Sequence, residues 1–190
     1  MAFVLGISGE AGSGKDTAAN FIQQYIYENT NSSVKIVRFA DPLKEGLSTM
    51  LNVDIHYFQD PDLKNTKIDF YDVSPRYLMT SLGTDWGRKM VRNDIWLLAF
   101  RKRIQDSEAD VILVPDVRFN NEASEIIRMG GKIISVQKPV YNPIISHESE
   151  QGIDPSFFSE TVQNDGSLEK LQCSVVKVFK NLFPQLKNDF

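Results

Sequence analysis

The segment Ala2-Phe-Val-Leu-Gly-Ile-Ser8 runs directly into Gly9-Glu-Ala-Gly-Ser-Gly14-Lys15-Asp16-Thr17, and this junction decides the fold. The first segment is a short apolar run, which is typical of a strand buried on both faces of a parallel sheet. From Asp16 to about Glu28, apolar residues recur at steps of three and four, which predicts a helix packed on that sheet. A buried strand, a glycine-rich turn ending in lysine and an amphipathic helix together predict a phosphate-binding loop.

The loop has the spacing G-x-x-x-x-G-K, in which glycines let backbone N–H groups face a phosphate and Lys15 adds a charge for the β- and γ-phosphates. Asp16 stands where a magnesium-binding Ser or Thr is usual. Asp16 could bind the metal directly or through water, and Thr17 could bond an α-phosphate oxygen. Alternatively, Asp16 is an exposed first-turn residue that stabilises the helix dipole.

Composition narrows the possible classes of protein. The 190 residues carry 21 Lys+Arg and 25 Asp+Glu, a net charge of −4, with 42% hydrophobic residues. These values favour one globular domain and disfavour disorder or a protein that coats nucleic acid. Cys173 is the single cysteine and there are two histidines, so neither a disulfide framework nor a Cys/His zinc site is expected. Without a basic leader or a long apolar run, we expect a soluble, unprocessed cytoplasmic protein with no membrane partner.

Further strands and helices alternate along the chain. This alternation predicts a mostly parallel sheet wrapped by helices, with ligands at the carboxyl ends of the strands. A last helix is expected from Ser167 to about Leu182. The expected strands after the first are Val34–Phe39, Val111–Val114, Lys132–Val136 and Glu160–Gln163.

Two helices are expected to begin at Asp41-Pro42 and Ser74-Pro75, with Asp or Ser as the N-cap and proline at the first helical position. Residues 52–73 are polar and mixed, and an irregular segment is predicted there. Gly83 and Gly87 are expected to break or bend the second helix before a helical stretch resumes to about residue 105.

Polar residues follow the third strand. If the extended conformation persists past Pro115, Asp116 and Arg118 point to one face, where Asp116 would organise magnesium and Arg118 would bind phosphate. The alternative is a salt-bridged pair that caps the next helix. Asp41 follows the second strand and could likewise face the reaction centre, or serve only as an N-cap.

The helix that follows Ser74 offers a candidate acceptor site. At α-helical spacing, Arg76, Thr80, Gly83 and Thr84 share one face, where glycine would admit a flat ring and Arg76 would bind a phosphate. A solvated helix face would look similar. Trp96 could stack on a base, although a buried tryptophan is the commoner case.

Two later segments suggest smaller roles. Residues 138–157 contain several prolines and His147, and a closing lid is expected there. Asn164-Asp-Gly166 follows the last strand, where backbone groups could hold adenine, or where the chain simply turns.

Five blocks together resemble a known family: Gly-Ser-Gly-Lys-Asp-Thr at 12–17, Phe-Ala-Asp-Pro-Leu-Lys at 39–44, the stretch 74–88, Asp-Val-Arg-Phe-Asn-Asn-Glu at 116–122 and His-Glu-Ser-Glu at 147–150. They are similar, in the same order, to blocks of the deoxynucleoside monophosphate kinases of tailed bacteriophages. The resemblance implies a P-loop kinase fold, a three-layer α/β/α sandwich with a helical substrate-binding insertion at about 45–105 and a lid.

The resemblance also implies transfer of the γ-phosphoryl group of ATP, with Mg²⁺, to a 5′-deoxynucleoside monophosphate for phage DNA synthesis in the host cytoplasm, with a homodimer possible. The implied catalytic residues are Lys15, Asp16, Asp116 and Arg118, of which Asp16 and Asp116 would hold the metal. The implied ATP-binding residues are Gly12, Ser13, Gly14, Lys15, Asp16, Thr17 and Asn164. The implied substrate-binding residues are Asp41, Arg76, Thr80, Gly83, Thr84, Arg88, Trp96, Asp116, Arg118 and Glu122.

Other functions remain open at this stage. Dephospho-coenzyme A and phosphomevalonate kinases have similar loops, so a different phosphorylated acceptor is one alternative. A nucleotide-dependent regulator without an acceptor is another, although the absence of an Asn-Lys-x-Asp motif disfavours a GTPase.

Overall fold

A computed structural model describes residues 2–139 and 152–186. The chain separates into two compact units, one formed by Met1–Arg38 with Ile104–Phe190 and the other by Phe39–Arg103. Most of the expected lid, including His147, lies outside the described residues. Within the described ranges, no helix is both long and apolar enough to cross a membrane.

The first unit is built on a five-stranded sheet whose strand pairs are all parallel, which confirms the expected sheet. Its strand order is β2-β3-β1-β4-β5, so the strand before the phosphate loop lies between β3 and β4. The strands are β1 (Phe3–Ser8), β2 (Val34–Ile36), β3 (Val111–Val117), β4 (Lys132–Gln137) and β5 (Glu160–Gln163).

Seven α-helices are described, and a π-helix (Ser81–Val91) follows the fourth of them directly. Single 3₁₀ turns occur at Leu63–Asn65, Pro155–Phe157 and Pro184–Leu186. The α-helices are α1 (Lys15–Asn29), α2 (Asp41–Leu51), α3 (His56–Gln59), α4 (Pro75–Thr80), α5 (Ile95–Gln105), α6 (Asn120–Arg128) and α7 (Leu168–Leu182).

The alternation of side chains along β1 divides the first unit into three layers. Leu5 and Ile7 are fully buried in one cluster with residues of α1 and α7. Gly6 points to the other face, where a Cβ atom on it would lie 2.9 Å from Cδ1 of Ile126 in α6. Because successive residues of a strand face opposite sides, α6 covers one face and the α1–α7 pair covers the other. This arrangement confirms the α/β/α fold class.

β3 is longer than predicted and carries a bulge. Gly6 pairs with Val114 and Ser8 pairs with Val117, so β3 has one residue more than β1 between these pairs. Pro115 lies in this interval, two residues beyond Leu113, the last residue of β3 that pairs with β2. The hydroxyl of Ser8 donates to the carbonyl of Val117 at 2.9 Å and holds the two strand ends together.

β2 is shorter than predicted, since it ends at Ile36 rather than Phe39. Phe39 begins the second unit, where its ring stacks on Phe100 with 4.1 Å between centroids. Phe39, three residues after the end of β2, therefore packs in the second unit and not in the sheet. Val37 still donates its N–H to the carbonyl of Leu113 at 2.9 Å.

The two expected helix starts in the second unit have different outcomes. Ser74 is the N-cap of α4, as predicted, and its hydroxyl accepts from the N–H of Tyr77 at 3.3 Å. The prediction that Asp41 is an N-cap is wrong, because Ala40 already has helical φ and ψ of −83° and −9° and takes the cap position. Asp41 instead lies in the first turn of α2, 4.0 Å from the ammonium of Lys44.

Of the break or bend expected at Gly83 and Gly87, the break does not occur, since the chain continues from α4 into the π-helix. Both glycines instead permit close packing. A Cβ on Gly87 would lie 2.6 Å from Cζ2 of Trp96, and one on Gly83 would lie 3.0 Å from Cδ1 of Leu43. Residues 52–73 are largely irregular, as predicted, but also contain α3 and one 3₁₀ turn.

Candidate active site

The phosphate loop occupies residues 9–14, between β1 and α1. Gly9 has a φ of +150°, and a Cβ there would lie 2.2 Å from the carbonyl oxygen of Val136 in β4. Gly14 has a φ of +98° and is the N-cap of α1. Only glycine adopts these conformations at low cost, so the motif glycines are needed for the backbone path itself. Gly12 also has a positive φ, of +75°.

Lys15 is the first residue of α1 and is only 8% exposed. Its ammonium donates to the carbonyl oxygen of Glu10 at 2.6 Å. Burial, and then the positive charge of Arg118, lower the pKa of Lys15 to about 8, although the carboxylates of Asp16 and Asp116 act in the opposite direction. A buried ammonium with a depressed pKa is stabilised by a bound anion, and a phosphate group fits this requirement.

The end of β3 brings Asp116 and Arg118 towards the loop, close enough that both charges shift the pKa of Lys15. Asp116 is half-buried and Arg118 is exposed. Glu122 is 2% exposed, and its carboxylate accepts from the backbone N–H groups of Arg118, at 2.9 Å, and Phe119, at 3.3 Å. Glu122 thus fixes the turn that presents Arg118.

Asn164 contacts the loop through its side chain, whereas the sequence suggested only its backbone. Its side-chain amide donates to the carbonyl of Ser13 at 2.9 Å, and its own N–H donates to the carbonyl of Gln137 at 2.7 Å. A Cβ on Gly14 would lie 2.7 Å from Nδ2 of Asn164. Asn164 therefore joins the end of β4 to the phosphate loop.

Two polar residues of the motif have groups that a nucleotide could use. Ser13 is 2% exposed, and its hydroxyl has no hydrogen-bond partner in the part of the chain that the structure describes. Such an orphaned hydroxyl in a phosphate loop fits a ligand that can accept its hydrogen. Thr17 is half-buried in the first turn of α1.

Asp16 follows Lys15 in the sequence and its side chain is exposed. Across residues 2–139 and 152–186, no three His, Cys, Asp or Glu side chains form a ready metal site. Mg²⁺ commonly takes only one or two protein carboxylates, together with water and substrate phosphates. Asp16 and Asp116, which both act on the pKa of Lys15, fit this arrangement.

Sequence reasoning missed Arg38, whose Nη2 donates to Oδ1 of Asp16 at 2.7 Å. Arg38 follows β2 by two residues and belongs to the first unit. Its position in the sequence could have identified it, because Arg38 stands directly before the Phe39-Ala-Asp41 block, near the carboxyl end of a predicted strand.

The expected acceptor residues of the second unit lie on four elements. Arg76 is exposed on α4, and its Nε donates to Oδ1 of Asn65 at 2.7 Å. Thr80 ends α4 and is half-buried. Gly83, Thr84 and Arg88 lie in the π-helix, so the α-helical spacing that placed Gly83 and Thr84 on the face of Arg76 does not apply beyond Thr80.

Trp96 and Asp41 complete this set. Trp96 is half-buried at the start of α5, and its indole N–H donates to the carbonyl of Gly83 at 2.7 Å while its ring packs against Gly87. The indole is thus held in place by the π-helix. Asp41 is half-buried in α2, within the same unit.

Comparison with known proteins identifies relatives of this chain. The sequence profile of the deoxynucleotide monophosphate kinase family matches residues 64–175, more than half of the chain. A putative deoxynucleotide monophosphate kinase of Acanthamoeba polyphaga mimivirus is 25% identical, with 94% of this chain and 96% of that protein aligned. The deoxynucleoside-5′-monophosphate kinase of Escherichia phage T5 is also 25% identical, over 86% of this chain and 90% of that protein.

A third relative is the deoxynucleotide monophosphate kinase of Enterobacteria phage T4, which is 29% identical over 84% of this chain and 65% of that protein. These matches confirm the family and the class of phosphotransferase expected from the sequence motifs. The chain therefore belongs to the deoxynucleotide monophosphate kinase family.

Proposed function

We propose that this enzyme transfers the γ-phosphoryl group of ATP to the 5′-phosphate of a deoxynucleoside monophosphate, forming ADP and a deoxynucleoside diphosphate. The observation that carries this proposal is Lys15, a buried ammonium with its pKa lowered to about 8, placed in a glycine-rich loop. Family membership supports a deoxynucleotide as the acceptor.

The loop would bind the donor. Backbone N–H groups of Gly12, Ser13 and Gly14, with the positive end of the α1 dipole, would surround the β-phosphate, and Lys15 would bridge the β- and γ-phosphates. Thr17 and Asn164 would complete the donor side, as the sequence predicts. Asp16 and Asp116 would hold Mg²⁺, which neutralises the charge spread over the transferring group.

Arg118 would bind the phosphate of the acceptor. An acceptor phosphate oxygen is already anionic at pH 7, so its attack on the γ-phosphorus needs alignment and charge neutralisation rather than a general base. Arg118 would supply charge, and Glu122 would keep the Arg118 turn in place through its two backbone hydrogen bonds. The other proposed acceptor residues are Asp41, Arg76, Thr80, Gly83, Thr84, Arg88 and Trp96.

The acceptor-binding region at about 45–105, the lid at 138–157 and a homodimer remain predictions from the family resemblance.

The test is ADP release in the presence of Mg²⁺ATP and one candidate acceptor at a time. The panel contains each deoxy- and ribonucleoside 5′-monophosphate, dephospho-coenzyme A and phosphomevalonate. At least one deoxynucleoside monophosphate is expected to stimulate ADP release well above the rate with water. If none does, or if only dephospho-coenzyme A or phosphomevalonate does, the proposal is wrong.

A further inference from the structure

Arg38 and Asp16 form an ion pair beside the phosphate loop. Nη2 of Arg38 lies 2.7 Å from Oδ1 of Asp16, and the two side chains are 27% and 69% exposed, respectively. Asp16 is the second residue of α1 and directly follows Lys15 in the sequence. The guanidinium of Arg38 is therefore paired with the neighbour of the residue that is proposed to bind the donor phosphates. The inference drawn here rests on that proposed donor site.

Stability alone gives little reason for this pair. An ion pair whose carboxylate is largely in water adds little to the stability of a fold. The guanidinium, by contrast, is mostly covered and has a planar fork of N–H groups that matches phosphate oxygens as well as it matches a carboxylate. A nucleotide at the loop would therefore compete with Asp16 for the same N–H groups.

We infer that Arg38 is a second cation, with Lys15, that binds the donor phosphates. Without nucleotide, Asp16 holds the guanidinium of Arg38 beside the phosphate loop. When Asp16 instead binds the metal ion of the nucleotide, it no longer competes with the phosphate oxygens for the N–H groups of Arg38. Arg38 is thus a donor-binding residue that exchanges one anionic partner for another. Arg38 contributes most to nucleotide affinity when Asp16 does not compete for its guanidinium.

The test measures binding of a fluorescent ATP analogue in EDTA, where no metal takes part. Four proteins are compared: the wild type, Asp16→Asn, Arg38→Ala and the double variant. Removing the charge of Asp16 reduces repulsion of the phosphates in either background. If Arg38 binds phosphate, Asp16→Asn also removes one competitor for its guanidinium, so the gain in affinity from Asp16→Asn should be about fivefold larger when Arg38 is present.

If Asp16→Asn raised nucleotide affinity equally or more in the Arg38→Ala background, the proposed role of Arg38 would be overturned. Charges that act independently at fixed positions give equal gains in affinity in the two backgrounds. Lys35→Ala is the matched control, since Lys35 is an exposed cation on β2. It should leave the gain from Asp16→Asn unchanged. Arg38→Lys keeps the charge but not the fork, and should recover only part of the coupling.

Thermal unfolding of each variant verifies that the binding data come from folded protein. The experiment needs no acceptor, so its failure differs from failure of the proposed function. If no variant bound nucleotide, with or without Mg²⁺, the proposed donor site itself would be wrong, and the role of Arg38 with it.

Discussion

The two units of the chain hold their proposed site residues by different means. In the first unit the phosphate loop is fixed by contacts to backbone: Gly9 packs on the carbonyl of Val136, and Asn164 bonds the carbonyl of Ser13. In the second unit an aromatic ring supplies the contacts, since the indole of Trp96 donates to the carbonyl of Gly83 and its ring packs against Gly87 of the π-helix. The proposed donor residues thus depend on glycine spacing, whereas the proposed acceptor residues depend on how large side chains pack.

The largest expected effect comes from removing the central cation of the first unit. Lys15→Ala should lower the turnover number by about 10²–10³-fold, because charge stabilisation of the transferring phosphoryl group is lost. The measurement is ADP release at saturating acceptor. Lys35→Ala, an equal charge loss at an exposed position of β2, should change turnover little. A loss for Lys15→Ala smaller than that for the control would contradict the proposed role of the loop.

A second expected effect is pH dependence, which again belongs to the first unit. Lys15 has a pKa of about 8, and bound phosphates favour its charged form. Nucleotide binding above pH 8 must therefore take up a proton, and affinity for ATP should fall roughly fivefold between pH 8 and pH 9. Titration calorimetry at both pH values checks this. In Lys15→Arg, whose guanidinium stays charged, the fall should be absent.

The same shift affects stability with a defined sign. Because the folded pKa of about 8 lies below the ordinary lysine pKa of 10.5, the unfolded chain binds more protons between these pH values. The contribution of Lys15 to the free energy of unfolding should therefore rise as the pH increases from about 8 towards 10.5. Chemical denaturation of the wild type and of Lys15→Arg over this pH range isolates the contribution of Lys15. If the difference in free energy of unfolding between the two proteins stayed constant with pH, the lowered pKa of Lys15 would be contradicted.

A third expected effect belongs to the second unit. Gly87→Ala would place a Cβ 2.6 Å from the Trp96 ring, and overpacking of this kind costs about 1–3 kcal/mol. We expect a lower unfolding midpoint and a higher KM for the deoxynucleotide, with ATP binding unchanged. Gly46→Ala is the control, because its nearest neighbour, Cε of Met50, lies 3.9 Å away. If ATP affinity fell as much as acceptor affinity, the proposed division between donor and acceptor residues would fail.

The smallest expected effect concerns the side chain that joins β4 to the phosphate loop. Asn164→Ala removes the hydrogen bond to Ser13, and one such bond contributes about 0.5–1.5 kcal/mol. The KM for ATP should rise by about fivefold while the KM for the deoxynucleotide stays constant. Gln163→Ala, which removes an exposed bond to Gln137, should change neither value. A matched rise in both KM values for Asn164→Ala would show a general loss of structure.

Much of the first unit could be predicted because its signals are local. An apolar run, a glycine spacing and a helical period lie next to each other in the sequence and describe β1, the loop and α1. The bulge at Pro115 and the Arg38–Asp16 pair could not be predicted, since each depends on which strands become neighbours.

The second unit was harder to predict for a physical reason. A glycine in a helical pattern indicates a break by backbone propensity, but Gly83 and Gly87 are needed for close contact with Leu43 and Trp96 instead. Tertiary packing there overrides local preference and extends the chain as a π-helix. The face expected from α-helical spacing fails for the same reason.

The central claim, transfer of a phosphoryl group to a deoxynucleotide, is tested most directly by following the label of [γ-³²P]ATP. The enzyme, Mg²⁺ and a deoxynucleoside monophosphate are incubated together, and the products are separated by thin-layer chromatography. We predict that the label appears in the deoxynucleoside diphosphate, in an amount equal to the ADP formed. Label found only in inorganic phosphate, with every deoxynucleotide offered, would contradict this account.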